Sequence, residues 1–388
     1  MNAPKLRFKE FNDEWKNKNL SELVSFSKGN LLSKSDLDEN GVYPCILYGQ
    51  LYTTYHEVIR KVYYKTNNNS KNITRSKYGD ILIPSSGETP IDISTSSCLL
   101  LDNILLGGDI NILSPINCDG RFISYMINNN KRTEIAKVAQ GHSIVHLYNE
   151  NLKKVNLQIP TMNEQIKVAN TLELLDKKIE FQTKKIEDLK LFKKGLNDSI
   201  IFKNAGTISE ISDLIVEYDK KTIINNQYPV LSSTINGITI QKDYFKKSAS
   251  SIDTTGYKIV PNNYITYRSM SDTGQFHFNL QNIIDIGIVS PAYPVFKLND
   301  NINLEYFLNY INNCKAFKNQ ILSIKEGGTR FALSFSKFNK LLVSIPEEQH
   351  MNLYGNILNK TNSKIQLEIE KLNKLQEIKK GLMQNMFV

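Results

Sequence analysis

The chain carries one plan twice. Ile159-Pro160 opens a stretch that runs through Lys193-Lys194-Gly195-Leu196, and Ile345-Pro346 opens another that runs through Lys379-Lys380-Gly381-Leu382. Pro346 lies 186 residues after Pro160, and Gly381 the same 186 after Gly195. Between these anchors Ile179, Ile186 and Leu189 fall on Ile365, Leu372 and Leu375. A period of this kind constrains the fold before any local propensity does, because each copy must build the same supersecondary unit. Each copy reads as a globular unit followed by a long helix, so the expected molecule is pseudo-two-fold.

The helical stretches carry the clearest pattern. Leu172, Leu175, Ile179, Ile186, Leu189 and Leu196 advance in steps of three and four, interrupted by Gln182 and Lys193. The second copy has Leu358, Ile365, Leu372, Leu375, Leu382 and Met386, with Glu368 and Lys379 at the matching interruptions. Apolar heptad positions flanked by charge predict a coiled coil, and each stripe is the other's partner. A helix of about 40 residues is about 60 Å long. The first helix leads out of unit one into unit two, and no long return linker stands at residues 203–208. The pair is therefore expected to be antiparallel, with the globular units held apart. The fold class expected is α+β: two pseudo-repeated mixed α/β domains, residues 1–155 and 204–341, separated by two long helices within 156–203 and 342–388 that form an antiparallel coiled coil.

Inside the first unit, turn residues delimit β-type runs at Val42–Tyr48, Val58–Tyr64, Asp80–Pro84, Ile91–Ile93 and Leu99–Leu106. Phe122, Ile123, Met126, Ile127 and Ile135 suit one face of a helix over Gly120–Val138. The second unit is a distant copy. Thr207–Ile211 echoes the opening run Asn19–Leu23, Asn262–Thr266 takes the place of Gly79–Ile83, Tyr306–Asn313 that of Phe122–Asn129, and Gly327 that of Gly141. The interiors diverge, as two readers of unlike targets on one scaffold would require, since binding residues concentrate on loops.

Net charge of +9 over 388 residues favours an anionic partner, nucleic acid first. The cysteines, Cys45, Cys98, Cys118 and Cys314, have no C-x-x-C spacing, which points away from zinc and toward a reducing, cytoplasmic compartment. The most apolar stretch, Cys98–Leu113, is too broken to cross a membrane. No phosphate-binding G-x-x-x-x-G-K-[ST] loop, no G-x-G-x-x-G and no Asn-Pro-Pro motif of adenine methylation occurs. His142 and His146 stand four apart, but Gly141 and Ile144-Val145 argue for loop and strand, so no metal is expected. Ser85-Ser86-Gly87 reads as a turn that presents hydroxyls and N–H groups, with no His-Asp partnership for catalysis.

What remains is binding chemistry, in which Lys and Arg meet phosphates and Arg, Gln and Ser meet base edges. The first unit offers Arg60, Lys61, Tyr63, Arg75, Lys77, Ser85 and Ser86. The second offers Lys220, Lys221, Lys246, Lys247, Arg268, Ser269, Thr273, Gln275, His277 and Arg330. Two other readings compete: a coiled-coil scaffold joining two protein-binding domains, and an enzyme with an unrecognised active site.

The layout of domain, helix, domain, helix resembles the specificity subunit of type I restriction–modification systems. The resemblance covers essentially the whole length. It rests on the Ile-Pro joints followed by Glu164-Gln165 and Glu348-Gln349, on the Lys-Lys-Gly-Leu ends, and on Tyr78-Gly79-Asp80-Ile81-Leu82. In the second copy Glu-Gln follows the proline two residues sooner, which puts the helix start in question. The resemblance implies two target-recognition domains, each reading half of a bipartite, asymmetric DNA site, with the helices fixing the gap. It implies double-stranded DNA, two modification subunits and two restriction subunits as partners. S-adenosylmethionine, ATP and Mg would then sit on those subunits and none on this chain, which would itself be non-catalytic.

Overall fold

The computed structural model describes residues 3–141, 144–198, 206–244, 253–324 and 331–388. The chain forms two compact units, Met1–Thr183 with Glu370–Val388, and Lys184–Ile369, so each unit takes in part of both long helices.

The first unit is built on a five-stranded sheet in the order Val24–Lys28, Ile110–Pro115, Asp80–Pro84, Ser97–Leu99, Val58–Ile59, antiparallel except for the last pair. The central strand Asp80–Pro84 is buried at every position because both its faces are covered. Side chains alternate across it. Ile81 and Ile83 pack with Phe122, Ile123 and Met126 on one side, while Leu82 packs with Ile46, Leu99 and Leu106 on the other. The Gly120–Val138 helix forms as expected, capped by the Asp119 carboxylate, which accepts from the Arg121 and Phe122 N–H groups. A π turn over Ile127–Lys131 interrupts it. From that turn the Asn128 carboxamide clamps one residue of the sheet, accepting from Ser96 N at 2.8 Å and donating to Ser96 O at 2.9 Å.

Three expectations are corrected here. Ile91–Ile93 is not a strand. Thr89 caps a short helix, Pro90–Ile93, whose proline occupies the first helical turn. The run Val58–Tyr64 divides into Val58–Ile59 and Tyr64–Thr66, strands of two different sheets. The run Leu99–Leu106 divides into Ser97–Leu99 and Leu105–Leu106 around a turn in which Asn103 takes φ +61°, a conformation Asn tolerates.

The second unit repeats the plan. Its four-stranded sheet runs Ile215–Glu217, Val295–Leu298, Ile265–Tyr267, Phe278–Leu280, so Ile265–Tyr267 has the neighbours that correspond to those of Asp80–Pro84. Helix Leu304–Asn313 lies where Gly120–Met126 lies, and Asn312 clamps Phe278 as Asn128 clamps Ser96, accepting from its N at 3.0 Å and donating to its O at 2.9 Å. In both units the first strand pairs antiparallel with the strand that leads into a long helix, Lys16 opposite Ile159 and Thr207 opposite Ile345. The register of the opening echo differs from its lettering. Ile211, fully buried, takes the place of Leu20, whereas Ile208 is 68% exposed. Gly327 and His142 lie outside the described residues.

The long helices span Met162–Leu196 and Glu348–Met386, so their starts are again 186 residues apart despite the shifted Glu-Gln. They pair antiparallel. In the first unit Val168, Ala169 and Leu172, near one helix start, share a core with Met383, Met386 and Phe387 near the other's end. In the second unit Lys185 bonds Glu368 at 3.0 Å. Of the predicted seam, Leu172, Leu175 and Ile186 are buried, and Ile179, Leu189, Leu196, Ile365, Leu372, Leu375 and Leu382 are half-buried. Gln182 and Glu368 occupy seam positions at 8% and 2% exposure.

Candidate nucleic-acid interface

In the first unit the basic candidates fall into different environments. Arg60 is not free: its guanidinium pairs with Glu173 on the first long helix, a buried carboxylate that also receives Arg121 at 2.8 Å and Lys177 at 2.9 Å. That pairing ties the edge of the five-stranded sheet to the helix. Exposed Lys61 lies over the exposed Tyr63 ring at 5.3 Å, and Tyr63 stacks on the buried Tyr55 at 6.0 Å, a cation–aromatic ladder that runs from the surface inward. Arg75 and Lys77 are exposed on the loop before Asp80–Pro84, with Arg75 donating to Asn69 at 2.5 Å and the Lys77 N–H donating to Asp80 at 2.8 Å.

Ser85 and Ser86 correct an expectation. They are only 4% and 5% exposed, because Ser86-Gly87 forms a two-stranded ladder with Val145-His146 and the Ser85 carbonyl accepts from the Leu147 N–H. The predicted open turn of hydroxyls is a covered strand. His146 in that ladder is strand, as the sequence indicates. Beside it stands a cluster the sequence did not bring together. Lys28 lies over the Tyr148 ring at 5.8 Å, and Tyr148 stacks on His146 at 6.1 Å. Lys28 is more than a hundred residues from the other two, so no local signal marks the cluster.

The second unit has the corresponding ladder, Met270-Ser271 with Phe331-Ala332. Arg268, Ser269, Thr273, Gln275 and His277 all belong to the segment that carries this ladder, so the structure does bring these candidates together. Arg268, Thr273 and Gln275 are exposed, and Ser269 is half-buried with its carbonyl accepting from the Leu333 N–H. Thr273 sits in a hydroxyl turn, its N–H donating to Ser271 Oγ at 3.3 Å. Burial, and then the nearby Lys318, hold the His277 pKa below its ordinary value, which favours neutral imidazole. Lys220 and Lys221 lie elsewhere, Lys220 over Tyr218 at 5.7 Å and Lys221 near Asp219 at 3.5 Å. Lys246, Lys247 and Arg330 lie outside the described residues.

Among the described residues no cluster of His, Cys, Asp and Glu could hold a metal, and no helix is long and apolar enough to cross a membrane. Burial pushes the thiol of Cys45 up to about 11 and that of Cys118 up to about 12, so neither is a ready nucleophile.

Residues 12–191 match the family described as Type I restriction modification DNA specificity domain. The whole chain superposes on a type I restriction–modification system S subunit from M. genitalium with TM-score 0.66 at 17% identity, covering 100% of this chain and 99% of that one. It also superposes on a chain from a study of complex assembly and conformational transition of the type I R-M system, with TM-score 0.52 at 11% identity, covering 97% and 98%.

Proposed function

We propose that this chain, whose residues 12–191 match the family described as Type I restriction modification DNA specificity domain, is the non-catalytic subunit that reads a bipartite, asymmetric DNA site. Each recognition unit reads one half, and the helices, each of which contributes to both units, fix the gap. The observation that carries this reading is the repetition of one sheet-and-helix scaffold with unlike ladder segments, Ser85–His146 in one unit and Arg268–Ala332 in the other. A shared scaffold positions two readers equivalently, and unlike side chains give each a different half-site. Half-sites on one face of a duplex lie about one helical turn, roughly 34 Å, apart.

Phosphate contacts come from Lys61, Arg75, Lys77, Lys220 and Arg268, all exposed, and stacking or base-edge contacts from Tyr63, Thr273 and Gln275. Two modification subunits dock on the helices and supply S-adenosylmethionine-dependent methylation, and two restriction subunits supply the ATP- and Mg-dependent steps. Docking of two like subunits has support in the helices' outer faces. Phe181 and Phe192 are exposed on the first helix, and 186 residues later so are Leu367 and Ile378 on the second, two copies of one apolar pattern. Duplex binding by the assembled complex is expected to weaken about a thousandfold or more between 50 and 200 mM salt. Salt-independent binding would favour a protein scaffold instead. Exchanging residues 204–341 for those of another specificity subunit is expected to change one half-site only.

A further inference from the structure

The second unit holds a cleft of about 760 Å³. Lys193, Asn236, Asn279, Asn309, Asn362 and Gln366 are on its walls. The repeat explains what this cleft is missing. Lys193 corresponds to Lys379, and Asn362 to Asp176, each pair 186 residues apart. In the first unit the Lys379 ammonium is answered by Asp176 at 2.7 Å and Glu57 at 3.0 Å, and the Tyr125 hydroxyl donates to Asp176 at 2.5 Å. In the second unit no carboxylate among the described residues forms an ion pair with Lys193. Asn362 replaces Asp176. The place beside Phe278–Leu280 is taken by the hairpin Leu231–Ile240, and its turn at Asn236-Gly237 reaches the cleft without a carboxylate.

Lys193 makes no ion pair among the described residues, and Asn362 has no hydrogen-bond partner among them. Glu305 is on the same wall and favours the ammonium slightly, but burial dominates and lowers the Lys193 pKa. A half-buried cation with no carboxylate in ion-pair contact is costly, and a ligand that supplies that contact regains part of the cost.

We infer that this cleft binds a carboxylate, held by the Lys193 ammonium and the Asn362 carboxamide in the arrangement that Asp176 takes toward Lys379. The carboxylate comes from a small dicarboxylate or from an acidic side chain of a modification subunit. The second source rests on the function proposed above, and the first does not.

The test titrates the full-length chain with succinate and with glutarate by calorimetry, against chloride of equal ionic strength. Saturable dicarboxylate binding, weakened at least tenfold by Lys193→Met and by Asn362→Asp and tightened by Glu305→Gln, supports the small-molecule source. Asn362→Asp installs the internal carboxylate of the first unit, so its melting temperature should rise as its binding falls, which separates occupancy of the site from misfolding. Absence of dicarboxylate binding, with purified modification subunit held at least tenfold more weakly by Lys193→Met than by the natural chain, assigns the site to a partner's side chain. Binding matched by chloride, or neither dicarboxylate binding nor a partner effect, overturns the inference. Because sequence-specific methylation does not depend on the small-molecule arm, failure there leaves the DNA-reading proposal standing or falling on its own test.

Discussion

The same lysine position of the repeat is solved in two opposite ways. In the first unit Lys379 closes the joint between the sheet domain and the helix pair, with Glu57 from the sheet side, Asp176 from the facing helix and the Tyr125 ring at 5.8 Å. Burial disfavours the Lys379 ammonium, but the two carboxylates more than offset it and its pKa is raised. In the second unit Lys193 faces carboxamides and its pKa is lowered by burial. The comparison teaches that duplication preserved the backbone frame, down to the Asn128 and Asn312 clamps, while the charge inside the joint drifted freely. One joint became a self-satisfied ionic lock and the other an open polar cleft.

Breaking the lock gives the largest expected effect. Lys379→Met strands two carboxylates in a partly buried site, and loss of one partner from such a cluster costs about 3–5 kcal/mol. Urea denaturation of the full chain should register it, and a loss under about 1 kcal/mol would mean the joint is solvated and the contrast with Lys193 is superficial. The helix starts give the next effect. Glu164 is buried, bidentate to Arg7 at 2.8 Å and accepting from Trp15 Nε1 at 3.3 Å, whereas Glu348 at the opposite helix start is exposed. Glu164→Ala should cost about 2–3 kcal/mol and Glu348→Ala within about 0.5 kcal/mol. Equal losses would contradict the assigned asymmetry.

The smallest effect has the opposite sign. Lys193→Met removes an ammonium that has no ion pair among the described residues and should leave stability unchanged or raise it by up to about 1 kcal/mol at pH 7. The pH dependence follows by sign. Above the depressed pKa of Lys193 and below the ordinary lysine value, the unfolded chain binds more protons, so stability climbs with pH, and Lys193→Met should abolish that climb. Lys379, with its raised pKa, contributes stability that is full below the ordinary lysine value and lost as pH rises through its own. A falling rather than rising contribution at Lys193, compared by denaturation at pH 7 and pH 9.5, would show that it has found a counter-charge.

The repeat, both long helices, their antiparallel pairing and the polar seam positions were legible in the sequence, because heptad spacing and a fixed 186-residue offset survive drift. The two globular units were legible only in their central strand and following helix, Asp80–Pro84 with Gly120–Val138 in the first. Their short strands depend on which sheet each half of a run joins, and that is a tertiary decision, as at Val58–Tyr64. The candidate interface was read from residue type, which cannot tell an exposed Lys61 from an Arg60 already spent on Glu173, or a presented serine from the covered Ser85 and Ser86. The Lys28–His146–Tyr148 cluster and the Lys193 cleft escaped for the same reason, since each is assembled from distant segments.

The central claim is that two unlike readers sit on one repeated frame. The most direct measurement co-purifies the chain with its modification subunits, loads S-adenosylmethionine and maps methylated adenines across a random DNA library. The account predicts a single bipartite motif with two different halves and one fixed gap. A continuous motif, a variable gap, or no sequence preference in a fully assembled complex would contradict it.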